Sequence, residues 1–335
     1  FGFEPVNLNT GNFFMEQKDA KLQELDGEFS ILRSYNSKAT DQNSYFGRGW
    51  SFVYEQALIK MEDDSILYTR GDGSYLFLTP NGDGTYSAPD GYDYQLKEVN
   101  YEGTEQDYIG YELTDSDKTI WSFDKYGLLR SKTDMKGFQT VLGYDDEYNL
   151  KNITTPSGKT FEIEQDKQGY ITAITFPDGN QVEYGYDENH NLVSFKNAGG
   201  DTRTYSYDKK NRLVSWTDEN GSQVVTNKYD KENRVISQTD ANGNTCSFAY
   251  EDGRTTTTDN EGYVTTYNYD EQYRTTSVEY PDGTTRTDSY AGNELASQTT
   301  AAGTRSYTYD ASGNILSATR EDGAVKSYTY NELNQ

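Results

Sequence analysis

The chain has 335 residues, a formal charge of −25, 33% apolar residues and 14% aromatics. This acidity disfavours nucleic acid and anionic lipid as partners. A single cysteine, Cys246, and a single histidine, His190, exclude an internal disulfide, thiolate metal sites and paired-histidine metal sites.

Low hydrophobicity with high net charge ordinarily means disorder. Here 31 tyrosines and frequent turn residues point to a pleated, half-buried sheet instead. No stretch is long and apolar enough to cross a membrane as a helix.

Residues 1–122 come first. Phe1 opens without an initiator Met or a signal peptide, so an excised piece of a larger protein is expected. Met15 to Leu25 is the one weak helical candidate. Turn signals follow at Asp72-Gly73, Asn81-Gly82, Asp83-Gly84 and Asp90-Gly91, and alternation over Ser74–Leu78 reads as strand. Hairpins that continue into the following sheet are expected. The pairs Asp63/Asp64 and Asp115/Asp117 look like acid–base dyads, but such work needs a cleft and perturbed pKa values. In an acidic chain they read as solvated turns.

From 123 to 335 the chain repeats with a period of about 21 residues, the mark of a repeat architecture. The markers are Tyr144-Asp145, Tyr186-Asp187, Tyr207-Asp208, Tyr229-Asp230, Tyr269-Asp270 and Tyr309-Asp310. Turn glycines follow at Gly158, Gly199, Gly221, Gly243, Gly283 and Gly323. Degenerate copies keep the phase at Phe123-Asp124, Gln165-Asp166, Tyr250-Glu251, Tyr290-Ala291 and Tyr330-Asn331.

Alternation such as Tyr205-Ser206-Tyr207 puts both rings on one face of a strand. The marker Asp opens a turn by accepting backbone N–H groups. A second strand such as Leu213-Val214-Ser215-Trp216 follows, and the Asn-Gly or Asp-Gly pair closes the hairpin, predicted as a two-residue primed turn. Tyr is predicted to stack on Tyr across strands. The fold class is therefore all-β: a repetitive antiparallel hairpin meander forming a wide curved sheet, an arc or part of a spiralling hollow barrel or cocoon. Open sheets rarely exceed about ten strands without curling. Open edges would invite pairing between copies.

Each functional candidate has a plainer competitor. Marker aspartates could be calcium ligands, yet turn capping accounts for them and no calcium-loop motif is present. The aromatic ladder could stack on sugars or peptides, yet packing within the sheet explains it. Trp50, Trp121 and Trp216 read as core or edge anchors. His190 stands where other units carry Gly or Asn and reads as an exposed turn residue, because a catalytic base also needs a nucleophile and an orienting group. Cys246 reads as a small buried or edge residue. No catalytic, cofactor or metal residue is assigned.

Two stretches resemble the Rhs/YD-repeat family. Tyr207-Asp208-x-x-Asn211-Arg212-Leu213 is similar to its defining repeat. The opening Pro5–Phe13, Leu32–Ser37 and Phe46-Gly47-Arg48-Gly49-Trp50 is similar to the region that begins the repeat shell in bacterial members. The resemblance implies a hollow β-cocoon that encloses a C-terminal toxin or effector domain in cis, within a secreted or cell-surface bacterial polymorphic toxin. In animal teneurins a related shell serves adhesion. The sequence ends at Gln335 inside the unit that starts at Tyr330, and it holds neither a self-cleaving segment nor a toxin domain. The expectation is a non-enzymatic shell segment without cofactor. A glycan- or protein-binding adhesion module is the alternative, and a glycosidase with paired carboxylates is the least favoured.

Overall fold

The computed structural model describes residues 5–25, 27–101 and 108–331. Phe1 and Gln335 lie outside them. All regular structure among the described residues is strand. The helical candidate Met15–Leu25 is, up to Glu24, part of strand Phe14–Glu24, whose Met15 and Gln17 are buried while Glu16 and Lys18 are exposed. Its ladder to Gly27–Asn36 runs the whole length of the strand, and a short isolated helix has no comparable support in water.

That hairpin and Trp50–Phe52 form a separate three-stranded sheet. The first hairpin therefore does not continue the repeat sheet, contrary to expectation. The main sheet has 27 strands in sequence order, from Ala57–Lys60 to Val325–Ser327. Val325–Ser327 pairs with Ile315–Thr319, and Ala57–Lys60 pairs with Ile66–Thr69. Among the described residues no ladder joins the last strand to the first, so the sheet is not closed. By contacts the chain divides into Phe13–Thr226 and a second unit made of Phe1–Asn12 with Asn227–Gln335. The ladder is unbroken near residue 122, where Ile120–Phe123 pairs on both sides.

Both turns of a repeat follow one five-residue plan. In Asp208–Arg212, the Asn211 N–H donates to the Asp208 carbonyl and the Asp208 N–H to the Arg212 carbonyl, each at 2.9 Å. In Asp218–Ser222, Gly221 and Asp218 repeat those bonds at 3.0 and 2.9 Å. In both turns only the fourth residue is left-handed: Asn211 at φ 60° and Gly221 at φ 77°. These are three-residue loops, a type I turn closed by one left-handed residue, rather than the predicted two-residue primed turns.

The aspartate explains the difference. Asp218 Oδ1 accepts the N–H groups of Asn220 and Ser222, both at 2.9 Å, which fixes the first half of the turn. Asp134, Asp240 and Asp259 do the same. Sequence reasoning read the Gly turn through its Asn-Gly pair and missed the aspartate three residues before the glycine. Gly127 is obligatory for a second reason: at φ 80° its backbone lies against the Leu58 carbonyl, where a Cβ would overlap.

One side-chain stripe crosses the strands. In Phe13–Thr226 it is apolar: Leu142 faces Ile153, Ile163 faces Ile174, Ile174 faces Val182, and Tyr205 faces Trp216, all buried. In the unit that contains Asn227–Gln335 it turns polar, with Gln238 opposite Cys246, Val278 opposite Arg286, and Asp288 opposite Gln298. The three-stranded sheet covers the apolar stripe of its own unit, which would otherwise be a large exposed hydrophobic face.

Asp240 tests the turn plan, since its carboxylate takes the Asn242 and Asn244 N–H groups at 2.9 and 2.8 Å. Asp240→Ala should lower stability by about 1 kcal/mol in urea melts, and Asp240→Asn should recover most of the loss. Equal stability of all three proteins would remove the carboxylate from the explanation.

Candidate functional site

The marker tyrosines each end a strand, five of them at a break in register. The ladder shifts between Gly143 and Tyr144, Gly185 and Tyr186, Ser206 and Tyr207, Asn268 and Tyr269, and Thr308 and Tyr309. On the other side of the second strand the pairing is short. Leu192–Lys196 meets Thr202–Tyr207 at only three positions and stops at Ser194 opposite Thr204. The carbonyl of Leu192 lies beyond that ladder, and the Tyr207 hydroxyl donates to it at 2.8 Å.

The same clasp recurs from Tyr144 to Leu129 O (2.8 Å), Tyr186 to Ile171 O (2.7 Å), Tyr290 to Thr275 O (2.8 Å), Tyr309 to Leu295 O (2.9 Å) and Tyr330 to Ile315 O (3.0 Å). Tyr250, a degenerate copy by sequence, keeps it to Val235 O at 2.6 Å. Gln165 stands where another tyrosine would be and turns to the Gly169 carbonyl instead. The predicted stack of Tyr on Tyr gives way in most repeats to a hydroxyl bond from one hairpin to the one before it; Tyr269, whose buried hydroxyl donates to no backbone carbonyl, is an exception. The signal was the hydroxyl itself: phenylalanine would serve packing equally well.

The marker aspartate works on both sides. Asp230 Oδ1 takes the Arg234 N–H and Oδ2 takes Arg234 Nε at 2.7 Å. The Arg234 guanidinium lies 4.9 Å over the ring of Tyr250. Asp270, Arg274 and Tyr290 repeat the arrangement, with the guanidinium 4.4 Å over the ring, and Asp124, Arg130 and Tyr144 do so at 4.6 Å. Where the fifth residue is Asn, as in Asp145–Asn149, Asp187–Asn191 and Asp310–Asn314, its amide replaces the arginine. Arg212 pairs with Asp208 at 2.6 Å. These carboxylates are occupied by turn N–H groups and neighbouring side chains. Tyr229 ends strand Gln223–Tyr229, and Gly158, Gly243, Gly283 and Gly323 hold the left-handed turn position.

The densest constellation lies where the three-stranded sheet meets the apolar stripe. Arg33 and Asp19 are both fully buried and joined through Arg33 Nε and Nη2, the latter at 2.7 Å. Rings of Trp50, Phe46, Tyr184, Phe195 and Tyr205 surround the guanidinium at 4.5 to 6.0 Å. Tyr184 donates its hydroxyl to Asp19 at 2.8 Å. Burial opposes the charge on Arg33, and Asp19 more than offsets it, so the guanidinium stays protonated. Burial, then the Asp19 charge, pushes the Tyr184 hydroxyl well above its ordinary value. Around this pair, Phe29 packs on Phe161 at 4.7 Å, Trp50 Nε1 donates to the Tyr207 hydroxyl at 2.9 Å, and the Leu213 N–H donates to the Tyr35 hydroxyl at 2.8 Å.

The remaining candidates fall into place singly. His190 is a left-handed turn residue, as its neighbours predict, but it is half-buried and stacks on Tyr170 at 4.9 Å. Trp50, Trp121 and Trp216 are all buried. Cys246 is half-buried, and burial raises its thiol pKa. Asp115 caps Asp117 and Thr119 and accepts Trp121 Nε1, and Asp63 caps Ser65. Neither pair forms a facing dyad.

Against known families, the RHS Repeat profile matches residues 166–202, 186–223, 207–245 and 289–325. A domain of unknown function (DUF6531) matches residues 3–77. Together these stretches span more than half of the chain. The chain belongs to the Rhs/YD-repeat family. Its N-terminal sheet lies within the DUF6531 match, and the clasped hairpins from Asp166 to Thr245 lie within the overlapping Rhs matches.

No curated protein matches. Among solved structures, the Photorhabdus luminescens Tc holotoxin pore is 13% identical over 98% of this chain and 24% of that one, at a TM-score of 0.40. The TcdB2-TccC3-Cdc42 crystal structure is 13% identical over 97% and 24%, at 0.39. The N-terminal domain of SpvB from Salmonella typhimurium is 12% identical over 94% and 99%, at 0.29. At these scores they are likenesses only, and membership stands on the repeats. The chain spans about a quarter of the length of the first two.

One buried acid ties the N-terminal region to the Rhs strands. Glu55 Oε1 accepts the Tyr45 N–H at 2.8 Å, and Oε2 is buried without a partner. Tyr45 in turn accepts the Ile171 N–H at 2.8 Å, and the Arg48 N–H donates to the His190 carbonyl at 3.2 Å. Burial pushes the Glu55 carboxyl up to about 8, more than the Tyr45 bond lowers it. Unfolded, Glu titrates near about 4.3. Between these values the folded chain holds a proton that the unfolded chain has released. The contribution is therefore complete below the unfolded value and lost as pH rises through about 8. Relative to Glu55→Gln, the wild type should lose on the order of 1–3 kcal/mol between about pH 5 and 9. Urea melts across that range check it, and a constant difference would refute it.

Proposed function

We propose that this chain is a non-enzymatic wall segment of an Rhs shell in a secreted bacterial polymorphic toxin, enclosing an effector domain carried in cis. The observation that carries the reading is the set of tandem Rhs repeats whose turn aspartates, arginines and most marker tyrosines are spent on construction. Aspartates cap turns, arginines bridge them to the next ring, and tyrosine hydroxyls fasten hairpin to hairpin. A long antiparallel sheet of this kind suits containment, because every hairpin is held by its neighbours and no single residue carries the activity. Residues 1–122 then open the wall and 123–335 extend it.

A second reading keeps some support. Tyr126, Tyr148 and Tyr273 stand exposed on marker turns at 60%, 48% and 73%, as an adhesion surface for glycan or protein would need.

Limited proteolysis of the full-length gene product separates the two. Encapsulation predicts that sequence encoded beyond this chain resists a protease dose that digests the same sequence expressed alone. Equal digestion, together with glycan or surface-protein binding lost on Tyr126→Ala and Tyr273→Ala, would establish adhesion instead.

A further inference from the structure

The dipeptide Asn-Gly occurs three times, at Asn81-Gly82, Asn220-Gly221 and Asn242-Gly243. It is the sequence most prone to lose its amide, because the N–H that follows can attack the asparagine Cγ and glycine puts no side chain in the way. All three asparagines are exposed, so water reaches each of them. Their backbones differ.

Asn220 and Asn242 occupy the third position of the aspartate-capped turn. There the nitrogen that would attack is already bound. The Gly221 N–H donates to the Asp218 carbonyl at 3.0 Å and the Gly243 N–H to the Asp240 carbonyl at 3.1 Å. The N–H of each asparagine is held as well, by the Oδ1 of the same aspartate at 2.9 Å. Ring closure at either site has to break the turn.

Asn81 opens a turn of different build. Its N–H donates to the Thr85 carbonyl at 2.9 Å, but among the described residues no N–H of Gly84 returns to the Asn81 carbonyl. The capping carboxylate is Asp83, which takes the Thr85 N–H and hydroxyl at 3.0 and 2.6 Å. It therefore fixes the far side of the turn and leaves the dipeptide alone. The Gly82 N–H has no acceptor among the described residues, and the space beside its Cα is open. The Ser87 hydroxyl donates to Asn81 Oδ1 and Asn81 Nδ2 to Thr85 Oγ1, both at 2.9 Å. The Ser87 bond survives the attack, since it draws electron density from Cγ and stabilises the oxygen that gains charge.

We propose that Asn81-Gly82 is a site of self-modification, at which the folded chain converts asparagine to aspartate and isoaspartate. The Gly82 nitrogen loses its proton to solvent and bonds to Asn81 Cγ. The bond from Cγ to the amide nitrogen breaks, and ammonia leaves with a proton from solvent. Water then opens the cyclic imide at one carbonyl or the other, and nothing is oxidised or reduced. Both products add a carboxylate, and isoaspartate also adds a backbone carbon to the turn between Tyr75–Pro80 and Thr85–Ser87. Those strands pair only through Thr79 with Ser87 and Pro80 with Tyr86, so the insertion loosens the hairpin. The chemistry needs this loop and water alone, and it holds whether or not the wall encloses a cargo.

The test ages the intact 335-residue chain in mildly alkaline buffer and maps its peptides by mass spectrometry, with isoaspartate counted by enzymatic methylation. Asn81 should convert at least about tenfold faster than Asn220 and Asn242. In urea, where the turns are gone, the three should convert within about threefold of one another. Asp240→Ala, which removes the carboxylate bond to the Asn242 N–H, should speed conversion at Asn242 about fivefold and leave Asn81 unchanged. Comparable rates at the three sites in the folded chain, or the same tenfold preference in urea, overturn the proposal, since the fold would then not choose the site. So does a folded chain in which Asn81 stays intact while the chain in urea converts. An unchanged Asn242 rate in Asp240→Ala also counts against it.

Discussion

The bond from a marker-position tyrosine hydroxyl to a backbone carbonyl one hairpin earlier, made by Tyr144, Tyr186, Tyr207, Tyr250, Tyr290 and Tyr309 though not by Tyr269, is the interaction on which most of the ladder depends. A β-meander is easily paired within a hairpin and less securely paired between hairpins. Here the second interface stops after three positions, as at Ser194 opposite Thr204, because the register shift at the marker turns the strands apart. A carbonyl left beyond the ladder would be an unsatisfied polar group, costing roughly 1–3 kcal/mol if buried. Tyr207 supplies the missing donor to Leu192. The hydroxyl thus permits a strongly bent strand end without breaking the chain of hydrogen bonds from one hairpin to the next. The aspartate and arginine serve the same junction, one by fixing the turn beside it and the other by covering the ring.

The second constraint is the face of the sheet. Where the stripe is apolar, the three-stranded sheet covers it and concentrates the most demanding interaction in the chain, Arg33 with Asp19 inside a ring of aromatics. A buried ion pair is rarely a gain in stability over apolar packing, yet it punishes misplacement severely. It therefore acts as a register pin: the Arg33–Asp19 pair forms within the three-stranded sheet, and it meets the Tyr184 and Tyr205 hydroxyls only if that sheet sits correctly. Where the stripe is polar, as at Arg286, Asp288 and Gln298, the side chains answer one another, Arg286 Nη2 to Asp288 at 2.9 Å and Gln298 Nε2 to the same carboxylate at 3.2 Å.

Much of this was legible in the sequence. The period, the strand phase and the capping role of the marker aspartates follow from local chemistry, which a sequence records. Three things did not follow. The Asp-x-x-Gly plan at Asp218 and Asp240 was hidden behind the more familiar Asn-Gly pair, although the aspartate three residues earlier gave the clue. The strand at Phe14–Glu24 was obscured because Met15, Leu22 and Leu25 are compatible with a helix until a partner strand is supplied. The Arg33–Asp19 node was invisible because its rings come from residues as distant as Tyr205, and nothing in Leu32-Arg33-Ser34 announces burial of the charge. Tyrosine clasps lay between these cases: their spacing was in plain view, but only the geometry shows that the hydroxyl rather than the ring is the repeated element.

The most direct measurement of that claim replaces tyrosine by phenylalanine at Tyr290 and Tyr309, singly and together. The ring, and at Tyr290 its contact with Arg274, is kept, while the bonds to the Thr275 and Leu295 carbonyls are lost. Chemical denaturation should show a loss of about 1 kcal/mol for each change and close to the sum for both. Native-state hydrogen exchange should show faster opening of the affected hairpins. Unchanged stability and exchange in the double variant would contradict the account and return the tyrosines to a packing role.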